Sequence, residues 1–159
     1  MKLTAAVLVT SDRVARGERQ DRSGELAKEL LSAVAEVVEK RVVPDEAGEI
    51  RQALLSWSAQ GVDVVVTVGG TGLSERDVTA QTTRGLLEKE APGITMAMLA
   101  RGLQATPRAM LSGAAAGVRG RTLIVNLPGS ISAVRDYLGL LREILPHAVA
   151  MIHGHHHEQ

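Results

Sequence analysis

Val62-Asp63-Val64-Val65-Val66-Thr67-Val68 is the stretch that most limits how this chain can fold, because five of its seven residues are valine. Branching at Cβ stiffens the side chain and favours extended backbone. An apolar run on both sides of a strand, with no alternation, is the pattern of a strand covered by helices on each face. The segment therefore predicts a central strand over 62–68 with a helical layer above and below it.

The flanking sequence supplies those layers. Residues 3–10 predict a first strand, which ends at Ser11-Asp12-Arg13. Leu26, Leu30, Leu31, Val34 and Val38 recur at three- and four-residue spacing and predict a helix over 25–38. A short strand over 39–43 ends at Pro44-Asp45. A second helix over 46–60 carries Ile50, Ala53, Leu54 and Trp57 on one face and is closed by Gly61. Helices over 78–90, 94–103 and 132–144 and a strand over 122–127 complete the series, with breaks at Pro92-Gly93 and Pro128-Gly129-Ser130. The glycines and Pro107 of segment 101–121 fit either a lid or a short antiparallel strand. Strands alternating with helices in this way predict an α/β three-layer domain with a mostly parallel central sheet. With 159 residues, 45% of them hydrophobic, the chain has the material for one core. Residues 1–152 are thus expected to form a single domain. Residues 153–159, rich in histidine at His153, His155, His156 and His157, are expected to form a disordered tail, solvated or able to pick up transition metals.

Charge and composition remove several function classes. Lys plus Arg and Asp plus Glu number 18 each, so no net field draws the surface to nucleic acid or anionic lipid. Trp57 and Tyr137 are the only aromatic residues, too few for a base-stacking platform. Cysteine is absent, which excludes thiol catalysis and a disulfide framework. No apolar run approaches the roughly 20 residues that span a bilayer, and the amino terminus runs directly into the first strand without a signal-like h-region. A soluble, cytoplasmic protein is expected.

In open α/β sheets ligands bind beyond the carboxyl ends of the strands, where loops and helix amino termini present backbone N–H groups. Three loops fall there: Thr10-Ser11-Asp12, the stretch 69–77, and Leu127-Pro128-Gly129-Ser130. In the middle loop Gly69, Gly70 and Gly72 let backbone approach an anion, and Thr71 and Ser74 add hydroxyls. A tight turn after a buried strand accounts for the same glycines. The loop has neither the Lys-Ser/Thr ending of a P-loop nor the spacing of a dinucleotide fingerprint. Asp77 and Asp45, each at a strand exit, suit a metal ion that offsets phosphate charge. Each also suits the N-cap of the helix that follows it. Ser11, Asp12 and Arg13 offer a hydroxyl, a carboxylate and a cation, and Ser130 a cap or a ligand contact. On these residues alone, any nucleotide-dependent phosphotransferase fits.

Taken in order, Ser11-Asp12-Arg13, Asp21-Arg22-Ser23-Gly24, Pro44-Asp45-Glu46, Gly69-Gly70-Thr71-Gly72, Arg76-Asp77-Val78-Thr79, Pro92-Gly93, Ala109-Met110-Leu111-Ser112 and Leu127-Pro128-Gly129 resemble the MogA/MoaB family of molybdopterin-binding proteins, whose relatives include the G domains of gephyrin and the plant molybdenum-cofactor protein. The resemblance runs over nearly the whole chain. It implies a molybdopterin-binding-type fold, a homotrimer, and Mg-dependent transfer of AMP from ATP to the terminal phosphate of molybdopterin, with pyrophosphate released and the product passed to a molybdenum-insertion enzyme. By the same resemblance Asp45 and Asp77 are the catalytic and magnesium-holding acids. Gly69, Gly70, Thr71, Gly72 and Ser74, with Ser11, Asp12, Ser112, Pro128, Gly129 and Ser130, take the substrate and nucleotide. Two departures stand out: Gly113 where many adenylyltransferases carry arginine, and Ser130-Ile131 where plant and gephyrin-type proteins have an Asn-Pro stretch. They suit a non-catalytic trimer of the MoaB branch that binds molybdopterin or its precursor.

Overall fold

The valine segment forms β3 (Val64–Val68), with all five residues buried. It lies between β1 (Leu3–Thr10) and β6 (Thr122–Leu127), parallel to both. The computed structural model describes residues 2–154 and contains a six-stranded sheet in the order β2-β1-β3-β6-β5-β4. β2 (Ala35–Val43) extends the parallel half beyond β1, whereas at the other edge β5 (Ala116–Arg119) runs antiparallel to β6, and β4 (Lys89–Glu90) antiparallel to β5. Segment 101–121 therefore contributes a short antiparallel strand, preceded by a 3₁₀ turn over Pro107–Leu111.

Helices cover both faces, as the valines require. On one face, odd-numbered β1 residues Ala5, Val7 and Val9, together with Val64, Val66, Val68, Leu123, Val125 and Leu127, pack against α2 (Arg22–Leu31), α5 (Pro92–Ala105), α6 (Ile131–Leu141) and α7 (Leu145–Ile152). On the other, Ala6, Leu8, Val65 and Ile124 meet Ile50, Ala53, Leu54 and Trp57 of α3 (Ala47–Ala59) and Leu86 of α4 (Thr79–Leu86). A fully buried aliphatic side chain such as Leu54 or Ile50 contributes about 1.5–3 kcal/mol. α3 ends where Gly61, at φ 77°, lets its N–H reach Ser58 O while Val62 N–H reaches Trp57 O. No helix among the described residues is long and apolar enough to cross a membrane.

Three boundaries differ from the sequence expectation. The helix expected over 25–38 ends at Leu31, because Ala35 already pairs with Leu3 in β2. Val38, the last residue of the helical spacing, instead sits in a bulge: Val37 faces Ala5 and Glu39 faces Ala6, so Val38 has no partner on β1 and stands about half exposed. The helix expected over 78–90 ends at Leu86 and is followed by β4. The closing helix expected over 132–144 ends at Leu141 as α6, and a further helix that was not expected, α7, follows with Pro146 in its first turn. His153 belongs to the fold and not to a tail: it caps α7, and its Nε2 lies 3.2 Å from Asp63 Oδ1 and 3.3 Å from Arg121 O. His155, His156 and His157 lie outside the described residues.

Candidate functional site

The chain leaves β1 toward β2 on one side and continues from β3 to β6 on the other, so the connections diverge between the carboxyl ends of β1 and β3. Every loop singled out in the sequence reaches this edge. A short helix α1 (Asp12–Ala15), capped by Ser11 Oγ on Val14 N–H, follows β1. The glycine loop follows β3.

That loop is shaped by two residues in the left-handed region, Gly69 at φ 105° and Gly70 at φ 68°. A Cβ on Gly69 would run into the Thr10 carbonyl, and one on Gly70 into the Thr79 hydroxyl. The loop is pinned on both sides: Gly69 N–H donates to Leu127 O at 2.9 Å, and Thr79 N–H to Gly70 O at 3.1 Å. Beneath it, Thr79 Oγ1 donates to Thr10 Oγ1 at 2.9 Å, and Asn126 Nδ2 donates to Thr67 Oγ1 at 2.8 Å and Thr83 Oγ1 at 3.0 Å. Asn126 Oδ1 accepts Ala115 N–H. Thr71 is buried and held by a separate segment: its Oγ1 accepts from Ser112 Oγ at 3.0 Å, and its carbonyl from Gly113 N–H at 2.7 Å. Among the described residues, the N–H groups of Gly70, Thr71, Gly72 and Leu73 donate to no protein acceptor. Four successive amides are left for an anion.

Neither acid caps the helix that follows it. α4 starts from Val78 and α3 from Glu46, both without a side-chain cap bond. Asp77 Oδ2 instead turns back to accept Ser74 N–H at 3.0 Å and Ser74 Oγ–H at 2.7 Å, so Ser74 serves the loop's own closure. Asp45 Oδ2 accepts Asp12 N–H at 3.0 Å, and its Oδ1 has no hydrogen-bond partner among the described residues. Burial pushes the Asp45 carboxyl above its ordinary range; the Asp12 N–H opposes this, and the charges of Asp12 and Asp77 reinforce it. Asp12, by contrast, is held below the usual carboxylate range by its hydrogen bonds to the Arg76 guanidinium and the Asp45 N–H. No group of three or more His, Cys, Asp or Glu side chains able to hold a metal ion occurs among the described residues.

Beside this acidic edge lies a cleft of about 660 Å³ lined by Ser11, Gly69, Gly129 and Ser130, all foreseen, and by Arg19, Arg22, Ser23 and Ser132, which were not. The amino ends of α2 and α6 meet here: Asp21 caps α2 on Gly24 N–H, Ser130 caps α6 on Ala133 N–H, and Ser23 Oγ donates to Gly129 O at 2.6 Å. Ser112, Pro128 and Ser130 line a second hollow of about 440 Å³ with Tyr137. The predicted residues thus form one edge with three compartments. Arg76 was visible only as the neighbour of Asp77, and Ser23 only as part of Asp21-Arg22-Ser23-Gly24.

A family described as "Probable molybdopterin binding domain" matches residues 6–147. The gephyrin of Dictyostelium discoideum is 39% identical over 93% of this chain, which spans about a fifth (22%) of that longer protein. A molybdopterin adenylyltransferase of Pyrococcus furiosus is 39% identical over 89% of each chain. Among solved structures, the molybdopterin biosynthesis enzyme MoaB of Thermus thermophilus is similar at 44% identity, with a TM-score of 0.88 over 96% of this chain and 97% of that one.

Proposed function

The chain belongs to the molybdopterin-binding-domain family, and on that premise we propose that it acts in molybdenum cofactor biosynthesis as a molybdopterin adenylyltransferase. An oxygen of the terminal phosphate of molybdopterin attacks the α-phosphorus of ATP. The bond to the bridging oxygen breaks, and pyrophosphate leaves with the electron pair. Such a transfer needs alignment of two phosphates and relief of negative charge, and no covalent nucleophile.

One observation carries the reading: four unpaired amides, of Gly70, Thr71, Gly72 and Leu73, stand on the same loop as Asp77, whose neighbour Arg76 is linked to Asp45 through Asp12. The amides bind and orient phosphate oxygens. Asp45 and Asp77 are the residues that would hold magnesium, and their oxygen donors fit it. Magnesium takes one or two carboxylates plus substrate phosphates, so a closed protein cage is not needed. Asp45 Oδ1 is unengaged, and burial beside two other carboxylates makes a cation favourable there. When bound, the ion supplies charge neutralisation between the phosphates. Ser11, Gly69, Gly129 and Ser130 in the cleft, and Ser112 and Pro128 in the hollow, then divide the two substrates between them, with Asp12 and Ser74 ordering the edge between.

The exposed side chains Met96, Leu99 and Leu103 on α5, with Met110 and Leu111 beside them, form an apolar surface suited to self-association, which the family resemblance implies is a homotrimer. Adenylylated molybdopterin would pass to a molybdenum-insertion enzyme in the cytoplasm. A binding-only trimer draws on Gly113, where the resemblance expects a cation. Arg84 Nη2, however, donates to Gly113 O at 2.5 Å, so a guanidinium stands at this position all the same. This favours the catalytic reading.

Purified protein given ATP, Mg²⁺ and molybdopterin should yield adenylylated pterin and one equivalent of pyrophosphate. Pterin binding without turnover would favour the binding-only trimer, and nucleotide turnover that ignores the pterin would favour a different phosphotransferase.

A further inference from the structure

The sequence places Asp12 among the ligand-binding residues, yet both of its carboxylate oxygens are already engaged. Arg76 Nη2 donates to Oδ1 at 3.0 Å and Arg76 Nε to Oδ2 at 3.1 Å, a side-on fork. Oδ1 also accepts Asp45 N–H at 3.0 Å. In return Asp12 N–H donates to Asp45 Oδ2 at 3.0 Å. The two acids therefore exchange backbone–carboxylate bonds, and the guanidinium closes the outer one.

The same Arg76 Nη2 lies 2.9 Å from Glu46 Oε1, at the start of α3. Because Arg76 precedes Asp77, this one side chain ties together the exits of β1, β2 and β3. Without it, Asp12, Asp45, Glu46 and Asp77 would crowd four like charges onto one edge. The half-buried Asp45 would then have reason to turn toward water. A planar fork fixes direction as well as charge, which an ammonium does not.

We propose that Arg76 and Asp12 are positioning residues: the Arg76–Asp12 fork fixes residue 12, whose backbone N–H holds the Asp45 carboxylate by Oδ2 and leaves Oδ1 to the reaction. Asp12 then contacts no substrate. The assignment rests on the adenylyl-transfer reading with Asp45 at its centre. A displacement of about 1 Å at such a centre is enough to cost on the order of 100-fold in rate.

The test has a structural and a kinetic arm. Crystal structures of Arg76→Gln and Asp12→Asn should show Asp45 turned away from its bond to the residue-12 N–H, with the rest of the sheet unchanged. An Asp45 side chain unmoved in both would overturn the proposal. In turnover assays each variant should lose about 10- to 100-fold in kcat with the KM for ATP within about threefold, as expected for loss of alignment. The double variant should be no worse than the weaker single, because the two act as one unit. Arg76→Lys should recover part of the loss. A raised KM with unchanged kcat would make Arg76 or Asp12 a direct ligand contact and defeat the assignment. If Arg76→Gln does not fold, Arg76→Lys and Asp12→Asn carry both arms. If the parent protein transfers no AMP, the proposed function fails, while the crystal structures still decide the positioning.

Discussion

The two faces of the sheet bury the same four parallel strands with different materials. Under α2, α6 and α7 the inward side chains are apolar from one end of the strands to the other: Val64, Val66, Val68 and Leu123, Val125, Leu127 meet Leu138 and Val134. Under α3 and α4 the apolar run of Leu8, Val65 and Ile124 gives way, toward the carboxyl ends, to Thr10, Thr67 and Asn126. These polar side chains are fully buried or nearly so, and no buried side-chain nitrogen or oxygen among the described residues lacks a partner. Hydrophobic contacts tolerate small shifts, whereas a satisfied polar network holds one arrangement. The first face supplies stability. The second holds the glycine loop at a fixed height above the strands.

Substitutions on each face can break or sharpen that contrast, the apolar face having the largest expected effect. Leu138→Ala should cost about 2–5 kcal/mol in urea unfolding, with turnover at low temperature unchanged. A parallel fall in turnover would mean that the faces are not separable. Asn126→Leu strands the Ala115 N–H and should cost about 1–3 kcal/mol, and here turnover should fall too, because Ala115 anchors the segment whose Ser112 and Gly113 hold Thr71; normal turnover would count against that role.

Asp45→Asn and Asp77→Asn should each lower turnover at least about tenfold, about 1.4 kcal/mol of activation free energy. Their stability should not suffer, since an amide oxygen keeps the acceptor. Asp45 also links stability to pH. Its folded carboxyl lies above its unfolded value, so ionisation weakens the fold, and that cost disappears as pH falls through the folded value. Asp45→Asn should therefore melt at or above the parent at pH 7, with the advantage shrinking toward pH 4. Thermal midpoints at the two pH values check this, and a lower midpoint at pH 7 would contradict the sign. The smallest effect is expected at Ser130→Ala, which removes the α6 cap bond to Ala133 N–H at about 0.5–2 kcal/mol. A thermal melt measures it.

The three layers and the strand Thr122–Leu127 could be read from residue spacing because the strands run as short, nearly continuous apolar segments between amphipathic helices. β2 resisted that reading. Its bulge removes Val38 from the alternation, and in the sequence Val38 stands four residues after Val34, which imitates a helix. The acids at strand exits were also legible, but their partners were not. Asp77 looked like a cap for α4, yet its carboxylate bonds backward to Ser74, three residues earlier. The fork from Arg76 to Asp12 spans 64 residues and depends on three loops meeting, so no local spacing announces it.

The bulge in β2 has a consequence for life at high concentration. β2 is the outermost parallel strand, and its outer rim is the natural place for a foreign strand to add itself to the sheet. Val38 interrupts that rim, and Glu36, Glu39, Lys40 and Arg41 crowd it with charge. The far edge, β4, is only two residues long. Both margins are thus poor templates, and the protein should resist aggregation by edge-to-edge growth even though its centre is nearly pure valine.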